Sequence, residues 1–302
     1  MVRPGLLPSE SRPLRRLPIW LKRPLPGGRD FVRTKGIVAR SRIATVCQEA
    51  KCPNLSECWS RRTATFMILG HKCTRRCRYC SVETARPDPP DDEEPQRLAQ
   101  AVDELGLRHA VITAVARDDL PDEGAGQFAG CVLAVKARRP AVTVEVLPAD
   151  MHARRDLLAI VCAARPDIYN HNIEMVERLT PRYRPQGNYR RSLDVLRIVK
   201  ELDTDAITKS GLMLGLGETR DDVLHTFDEL REVGCDVLTV GQYLAPTREH
   251  APVAKFYSPD EFTELAAEAR RRGFSGVASA PFVRSSYNAA EVFDEIKRRG
   301  AG

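Results

Sequence analysis

The alternation of short apolar runs with amphipathic segments constrains the fold of this chain more than any other feature. Seven runs, several of them nearly continuous in Val, Ile and Leu, are typical of strands buried on both faces of a parallel sheet. They occupy residues 63–69, 108–113, 142–147, 166–173, 206–214, 235–242 and 274–280. Helical segments follow at residues 95–105, 125–138, 153–164, 190–202, 220–233, 259–272 and 287–299. Six or seven β–α units of roughly 25–35 residues predict an α/β fold with a parallel barrel, complete or partial.

Two helix starts carry a recognisable capping pattern. Thr219 with Asp222, and Ser258 with Glu261, combine an N-cap residue with an acidic residue three positions later. A doubly wound open sheet is the alternative arrangement of the same units, but no GxGxxG or Walker A pattern follows any of the runs. In a barrel, the chemistry belongs to the loops that follow the strands.

Positive charge is concentrated at the N-terminus. Residues 1–42 contain eleven Lys and Arg against Glu10 and Asp30, whereas the whole chain has a net charge of +6. The rest of the chain is therefore slightly acidic, unlike the body of a nucleic-acid-binding protein. We interpret residues 1–42 as a basic, Pro-rich arm, which is either a solvated tail or a docking element for an acidic partner protein.

The sequence indicates a cytoplasmic protein. The N-terminal segment lacks the apolar stretch of a secretory signal, and no run approaches the roughly 18 apolar residues of a membrane span. We therefore expect no membrane partner and, from the charge distribution, no nucleic acid. In such a protein, nine cysteines, six of them clustered, point to metal binding or catalysis.

The clustered cysteines form two triplets. Cys47, Cys52 and Cys58 precede the first apolar run, and Cys73, Cys77 and Cys80 follow it. A structural zinc site prefers four ligands, so three thiolates leave one position unfilled. A [4Fe–4S] cluster held by three cysteines would have one open iron, which could bind another molecule.

The second triplet is similar to the motif of the radical S-adenosylmethionine superfamily. It has the CxxxCxxC spacing, with Tyr79 before the third cysteine, directly after the first predicted strand. This resemblance implies that Cys73, Cys77 and Cys80 hold a [4Fe–4S] cluster. Its open iron would bind S-adenosylmethionine, whose cleavage yields a hydrogen-abstracting 5′-deoxyadenosyl radical.

A second resemblance covers most of the chain, about residues 30–290. The paired triplets, together with PNLSECW, ITAVARDDLPDEG, NHNIEMVERL, TKSGLMLGLGET, LTVGQYLAPT and PFVRSSY, resemble the lipoyl synthase family. The implied fold is a partial parallel (β/α)6-type TIM barrel with N-terminal and C-terminal extensions. The chain departs from the family at Ala116, where an Asp is common.

In that family the first triplet binds an auxiliary [4Fe–4S] cluster. The resemblance implies that Cys47, Cys52 and Cys58 hold it and that Ser286, in the motif RSSY, is the fourth ligand. An alkoxide is a harder ligand than a thiolate and would leave such a site more readily. Without the cysteines, the two serines of RSSY would be read as the N-cap of the next helix.

The family resemblance also implies a reaction. Two sulfur atoms would be inserted at carbons six and eight of an octanoyl chain bound to a carrier-protein lysine, with the auxiliary cluster as the sulfur source. The implied carrier is the lipoyl domain of a 2-oxoacid dehydrogenase or the glycine-cleavage H protein. An electron donor such as ferredoxin or flavodoxin is a further expected partner.

Polar residues at the ends of the predicted strands are candidates for the S-adenosylmethionine pocket. Glu145 is notable because a carboxylate inside an apolar strand needs a partner. Arg117 belongs to a charge run that can equally be a solvated surface feature, and His171 is interpreted as a core or loop histidine. The candidate contacts are Tyr79, Arg117, Glu145, Asn170, Asn172 and Gln242.

The predicted organisation has four parts. They are the arm at 1–42, an auxiliary-cluster extension at 43–62, the barrel at 63–280, and a closing segment at 281–302 that carries RSSY. Two other functions remain open at this point. A different radical sulfur-inserting or methylthiolating enzyme would share the second triplet but should lack RSSY, and a zinc-stabilised nucleic-acid-binding protein would use the thiols structurally.

Overall fold

The computed structural model describes residues 17–22, 27–61 and 63–286. The helix predicted at 287–299 and most of the segment before residue 27 lie outside these residues. The α-helices are α1 (Arg29–Ser41), α2 (Val46–Glu49), α3 (Leu55–Ser60), α4 (Glu94–Leu105), α5 (Ala125–Arg138), α6 (Arg155–Ala163), α7 (Thr180–Tyr183), α8 (Tyr189–Leu202), α9 (Arg220–Glu232) and α10 (Pro259–Arg271). Short 3₁₀ turns occur at Ile19–Leu21, Met151–Ala153 and Glu177–Leu179.

The strands form one large sheet and one small ladder. They are β1 (Ala44–Thr45), β2 (Thr65–Ile68), β3 (Lys72–Cys73), β4 (Glu83–Thr84), β5 (His109–Ala114), β6 (Thr143–Leu147), β7 (Ile168–Asn170), β8 (Ile207–Leu214), β9 (Val237–Gln242) and β10 (Gly276–Ser279). The large sheet has the order β1-β2-β5-β6-β7-β8-β9-β10, and β3 pairs only with β4. Each of the seven predicted strands is therefore present; β5 has the length of its run, shifted by one residue, and the other six are shorter than their runs.

The large sheet is an open barrel. From β2 to β10 every neighbouring pair is parallel, and β1 adds to the β2 edge in the antiparallel direction. Within the described residues β2 and β10 do not pair with each other, so the barrel is not closed. Six βα units and a seventh strand confirm the prediction of a partial parallel barrel of the (β/α)6 type.

Burial explains why these runs form strands. All four residues of β2 and all six of β9 are buried, as expected for strands covered on both faces. The two predicted helix starts are also confirmed, since Thr219 with Asp222 and Ser258 with Glu261 form complete capping boxes. Each N-cap contributes about 1 kcal/mol to stability.

The N-terminal extension packs against the first cysteine triplet. In α1, Thr34 donates a hydrogen bond from Oγ1 to the carbonyl of Trp59 over 2.8 Å, and the rings of Phe31 and Trp59 lie 5.6 Å apart. The division of the chain into four parts stays a prediction. The last residues of the segment assigned to the basic arm nevertheless form a helix with buried Thr34, Ile37 and Val38.

Candidate active site

The second cysteine triplet lies in the loop after β2, where a barrel carries its chemistry. Burial, with the nearby thiols of Cys77 and Cys73, raises the pKa of Cys80 to about 12. Burial also raises the pKa of Cys77, and Cys73 adds to that effect. The loop therefore places the three sulfurs beside the barrel, close enough to interact electrostatically.

A buried arginine anchors this loop. Arg75 donates to both carboxylate oxygens of Asp118, with a shortest distance of 2.6 Å, and to Asp150 over 2.8 Å. Its own backbone N–H points to the sulfur of Cys73 at 3.4 Å. Burial alone would raise the pKa of Asp118, but the Arg75 guanidinium holds that pKa below its usual value. The charge run at 117–119 is therefore partly a structural support for the cysteine loop.

The first triplet forms a separate group. Burial, with the thiols of Cys47 and Cys52, raises the pKa of Cys58 to about 12. Burial raises the pKa of Cys47 to about 11, and Cys52 contributes to that increase. The backbone N–H of Cys52 donates to the carbonyl of Cys47 over 3.1 Å, which closes the turn between α2 and α3.

The sulfur spacing in both triplets suits a multi-iron cluster better than a single ion. All nine cysteines are free thiols. Among the described residues, neither triplet brings its three sulfurs within 4.8 Å of one another. Around one tetrahedral zinc, bonds of about 2.3 Å would hold them roughly 3.8 Å apart. A [4Fe–4S] cluster takes thiolates on different irons, so three free thiols in each triplet are the donor set that such a cluster uses.

Within the part of the chain that the structure describes, one group of three possible ligands does lie within 4.8 Å of one another. It consists of Asp118, Glu123 and His152. Asp118 is already paired with Arg75, and Nδ1 of His152 lies 2.8 Å from Glu123. These side chains therefore satisfy one another without an ion.

The C-terminal segment lies along β9 and contacts the loop of the first triplet and the loop that follows β7. Phe282 accepts a hydrogen bond from Asn54, which lies between Cys52 and Cys58, and Ser285 donates one to Asn172. Ser286 is half-buried. Its ligation to the auxiliary cluster stays a prediction, and the alternative, an N-cap for the helix at 287–299, depends on residues outside those described.

Tyr79 lies beside the second triplet. Burial raises the pKa of its phenol well above the ordinary value, and Glu174 and Cys77 are nearby charges that add to the effect. The phenol also packs on the apolar cluster formed by the second half of the barrel. A contact between Tyr79 and bound S-adenosylmethionine stays a prediction.

Glu145 and Asn170 belong to a polar group inside the barrel. Both carboxylate oxygens of Glu145 accept from Lys209, at 2.9 and 3.1 Å, and the side chain also contacts His109 at 3.1 Å and Asn170 at 2.7 Å. Burial would raise the pKa of Glu145, but Lys209 and His109 lower it to about 2. The partner that a buried carboxylate requires is thus supplied by the protein. Oδ1 of Asn170 has no hydrogen-bond partner within the described residues.

Arg117 and Gln242 also have protein partners. Arg117 pairs with Asp119 at 2.9 Å and donates to the carbonyl of Leu69. The amide of Gln242 donates to the carbonyls of Leu214, Tyr243 and Lys255 and accepts from the N–H of Tyr257. These bonds fix the ends of β5 and β9, and a cofactor contact by either side chain stays a prediction.

The sequence reasoning missed two charged residues near the second triplet. Glu174 has a positive φ of 69°, and burial raises the pKa of its carboxyl, against the influence of Arg184. Arg184 lies close to Tyr79, Glu174 and Cys77. Glu174 belongs to the stretch NHNIE, and its position next to these polar residues could have marked it as a candidate for the site. Nothing in the local sequence around Arg184 indicated its position.

Asn172 connects Glu174 to the C-terminal segment. Its Nδ2 donates to Glu174 over 3.2 Å, and its Oδ1 accepts from Ser285 over 2.8 Å.

His171, as expected, is a buried residue with protein partners, since its ring nitrogens lie 3.3 Å from the carbonyl of Pro148 and 3.1 Å from Ser192.

Comparison with solved structures supports the fold. A methylornithine synthase aligns with a TM-score of 0.54 at 14% identity, covering 78% of this chain and 80% of that chain. A maturase of the [FeFe]-hydrogenase aligns with a TM-score of 0.57 at 18% identity, covering 70% of this chain and 50% of that chain. At these identities the likeness concerns the fold alone.

Comparison with known sequences identifies the family. A model of the radical SAM superfamily matches residues 67–230. The lipoyl synthase of Halalkalibacterium halodurans is 52% identical over 285 residues, covering 94% of both chains. That of Rubrobacter xylanophilus is 48% identical over 311 residues, covering 99% of this chain and 97% of the relative. That of Bacillus subtilis is 49% identical over 285 residues, covering 94% of this chain and 96% of the relative.

The resemblance found in the motifs is thereby confirmed over nearly the whole chain. It also settles the choice among the functions left open by the sequence, against a zinc-stabilised nucleic-acid-binding protein and against another type of radical sulfur-inserting enzyme. The chain belongs to the lipoyl synthase family of the radical S-adenosylmethionine superfamily, whose members use S-adenosylmethionine and [4Fe–4S] clusters to insert sulfur into a protein-bound octanoyl group.

Proposed function

We propose that each cysteine triplet of this chain has its own role in sulfur insertion. Cys73, Cys77 and Cys80 hold the cluster that binds S-adenosylmethionine, and Cys47, Cys52 and Cys58 hold the auxiliary cluster together with Ser286. When bound, these groups supply a hydrogen-abstracting radical and the sulfur for carbons six and eight of the octanoyl chain. The observation that carries the assignment is the presence of two separate groups of three free thiols, one beside α2 and α3 and one in the loop after β2.

The side chains around the second triplet exclude water and orient the loop. Tyr79 packs on the apolar cluster, and Arg75 fixes the loop through the buried carboxylate of Asp150 and the more exposed carboxylate of Asp118. Holding reactants in a fixed geometry lowers the entropic part of a reaction barrier. The protein's contribution is therefore positioning and shielding.

Replacing the three cysteines of one triplet at a time by Ala tests the assignment. After anaerobic reconstitution the wild-type chain should hold about eight iron atoms, and a variant with Ala at the three cysteines of either triplet about four. The variant at Cys73, Cys77 and Cys80 should release no 5′-deoxyadenosine from S-adenosylmethionine. The variant at Cys47, Cys52 and Cys58 should still release 5′-deoxyadenosine from S-adenosylmethionine when an octanoyl-lysyl peptide is present. It should add no sulfur to that peptide. Equal loss of both activities in the two variants would contradict separate roles.

We further infer that an octanoylated lipoyl domain or glycine-cleavage H protein is the substrate and that the reaction takes place in the cytoplasm. Free thiols at all nine cysteines suit a reducing compartment. In the described part of the chain no helix is long and apolar enough to cross a membrane. The hypothesis that the basic arm docks an acidic carrier concerns residues that lie mostly outside those described. Deleting residues 1–29 should lower turnover of a carrier protein at low salt, and unchanged turnover would refute it.

An exposed group of arginines surrounds the second triplet and suits an acidic electron donor such as ferredoxin or flavodoxin. Arg76 and Arg78 lie inside the cysteine loop, and Arg182 and Arg248 lie on neighbouring segments; all four are exposed. The backbone of Arg78 joins these segments through bonds to Tyr183 and Ala251. None of the four forms an ion pair with another described residue. Complementary charge raises association rates.

A chemical reductant separates this docking role from other effects. The double variant Arg76→Glu/Arg78→Glu should slow turnover roughly tenfold with a protein donor at low salt. With dithionite as reductant its turnover should equal that of the wild type. A loss of turnover with dithionite would contradict docking of the electron donor at this surface. Turnover that falls with the carrier protein as substrate, but not with an octanoyl peptide, would contradict it as well.

A further inference from the structure

The segment between β10 and Ser286 lies flat on strand β9. The backbone N–H of Ala280 donates to the carbonyl of Val240, and that of Gln242 donates to the carbonyl of Pro281, both over 3.2 Å. A Cβ atom on Gly241 would lie only 2.0 Å from the carbonyl oxygen of Val283. Close contact of the two backbones is therefore possible only because residue 241 has no side chain.

A side chain from the first triplet's loop holds this segment. Nδ2 of Asn54 donates to the carbonyl of Phe282 over 2.7 Å, across 228 positions of sequence. Asn54 is 1% exposed and occupies the N-cap position of α3. An asparagine at that position usually caps its own helix, but this side chain forms no such bond. Its amide is directed to the C-terminal segment instead.

A second bond holds the segment next to the other triplet. Oγ of Ser285 donates to Oδ1 of Asn172 over 2.8 Å, and Asn172 in turn donates to Glu174. A Cβ atom on Gly211 would lie 2.6 Å from Oδ1 of Asn172 and 2.9 Å from Oγ of Ser285. This hydrogen bond therefore occupies the space above a glycine, and Ser285 is already committed to a protein partner.

We propose that Asn54 and Ser285 are positioning residues that form a clasp on the C-terminal segment and present Ser286 to the auxiliary cluster. The proposal rests on the proposed function, in which Ser286 is the fourth ligand of the auxiliary cluster, and on the expectation that this ligand leaves more readily than a thiolate. A segment held only by its bond to iron would move away when that bond breaks. The clasp keeps the segment in place independently of the cluster, so Ser286 remains beside the first triplet and can bind again.

The cluster-free protein gives the first test, because the clasp consists of protein atoms only. Hydrogen–deuterium exchange of the backbone amides at 282–286 is measured for the wild type, Ser285→Ala and the isosteric variant Asn54→Asp. Loss of one hydrogen bond should speed this exchange roughly fivefold in each variant. Ser286→Ala is the matched control and should exchange like the wild type. Unchanged exchange in both test variants would overturn the clasp.

Iron retention in the reconstituted protein gives the second test. In Ser285→Ala, a chelator should remove about four of the eight iron atoms several-fold faster than in the wild type, while 5′-deoxyadenosine formation is retained. Ser285→Thr keeps the hydroxyl and should restore slow loss. Equal iron loss in Ser285→Ala and wild type would refute the positioning role. If the wild type holds only four iron atoms, the proposed assignment of two clusters fails instead. The hydrogen–deuterium exchange result would still show whether Asn54 and Ser285 hold the C-terminal segment.

Discussion

Lys209 and Glu145 form an ion pair inside the barrel, with Nζ 2.9 and 3.1 Å from the two carboxylate oxygens. The side chains are 2% and 0% exposed, so water does not screen the pair. They belong to β8 and β6, which are separated by β7. His109 and Asn170 also form hydrogen bonds with the carboxylate. The four side chains therefore join β5, β6, β7 and β8 across the barrel interior.

Removing one member of this pair should destabilise the protein strongly. Glu145→Gln leaves the Lys209 ammonium buried without a counter-charge, and breaking a buried pair in this way costs about 3–5 kcal/mol. The free energy of unfolding from urea titration measures the loss. The double variant Glu145→Leu/Lys209→Met should lose clearly less than Glu145→Gln. If Glu145 contacts S-adenosylmethionine instead, Glu145→Gln would raise the KM for that substrate without changing the free energy of unfolding.

Glu145 also illustrates what the sequence could predict. Its position in the apolar run VTVEVL predicted a buried carboxylate that needs a partner, which the structure confirms. The partner could not be predicted, because Lys209 is 64 positions away and meets Glu145 only through the order of the strands. The strand pattern and the capping boxes were predictable because they depend on neighbours within a few residues.

The same distinction applies to the candidate site. The spacing of each cysteine triplet is local, so both groups could be predicted from the sequence. Arg75 was overlooked because its role depends on Asp118 and Asp150, which are 43 and 75 positions away. Gln242 was a sound choice of a polar residue at a strand end, but its amide bonds to the backbone of three segments rather than facing open space.

Arg75 should be required for the second triplet to retain iron. A lysine side chain has no second nitrogen, so it cannot reproduce the forked bonds from Nε and Nη2 to Asp118 together with the bond to Asp150. Arg75→Lys should lower the free energy of unfolding by about 1.5–3 kcal/mol and reduce reconstituted iron. The neighbouring Arg76 is exposed, and Arg76→Lys is the control that should leave both quantities unchanged. Equal iron content in Arg75→Lys and wild type would contradict the anchoring role.

His171 should make the stability of the cluster-free protein fall at mildly acidic pH. Burial, with Arg184 nearby, lowers the pKa of this imidazole from 6.5 to about 4. Between these values the unfolded chain binds a proton that the folded protein does not, so the stability present above pH 6.5 is lost as the pH falls toward 4. The loss contributed by His171 between pH 7 and pH 5 is about 2 kcal/mol.

The variant His171→Gln should remove that contribution. Urea titrations at pH 7 and pH 5 are compared for the wild type, His171→Gln and His225→Gln. His225 has a side chain that is 65% exposed, so its variant should keep the pH dependence of the wild type. An unaltered pH dependence in His171→Gln would show that His171 is not the titrating group.

Gly241→Ala should displace the C-terminal segment while leaving the barrel folded. The new Cβ atom would lie 2.0 Å from the carbonyl oxygen of Val283, and neither backbone can move without breaking the bonds between β9 and the segment. Residues 282–286 should therefore exchange their amide hydrogens faster, and sulfur insertion should fall at least tenfold. Gly130→Ala is the control, because Gly130 lies within α5 and the atom nearest to its new Cβ would be Cγ of Pro95, at 3.5 Å. Since Ala is favoured over Gly in a helix by about 1 kcal/mol, Gly130→Ala should raise the Tm and keep full activity. Normal exchange in Gly241→Ala would mean that the segment is not held against β9.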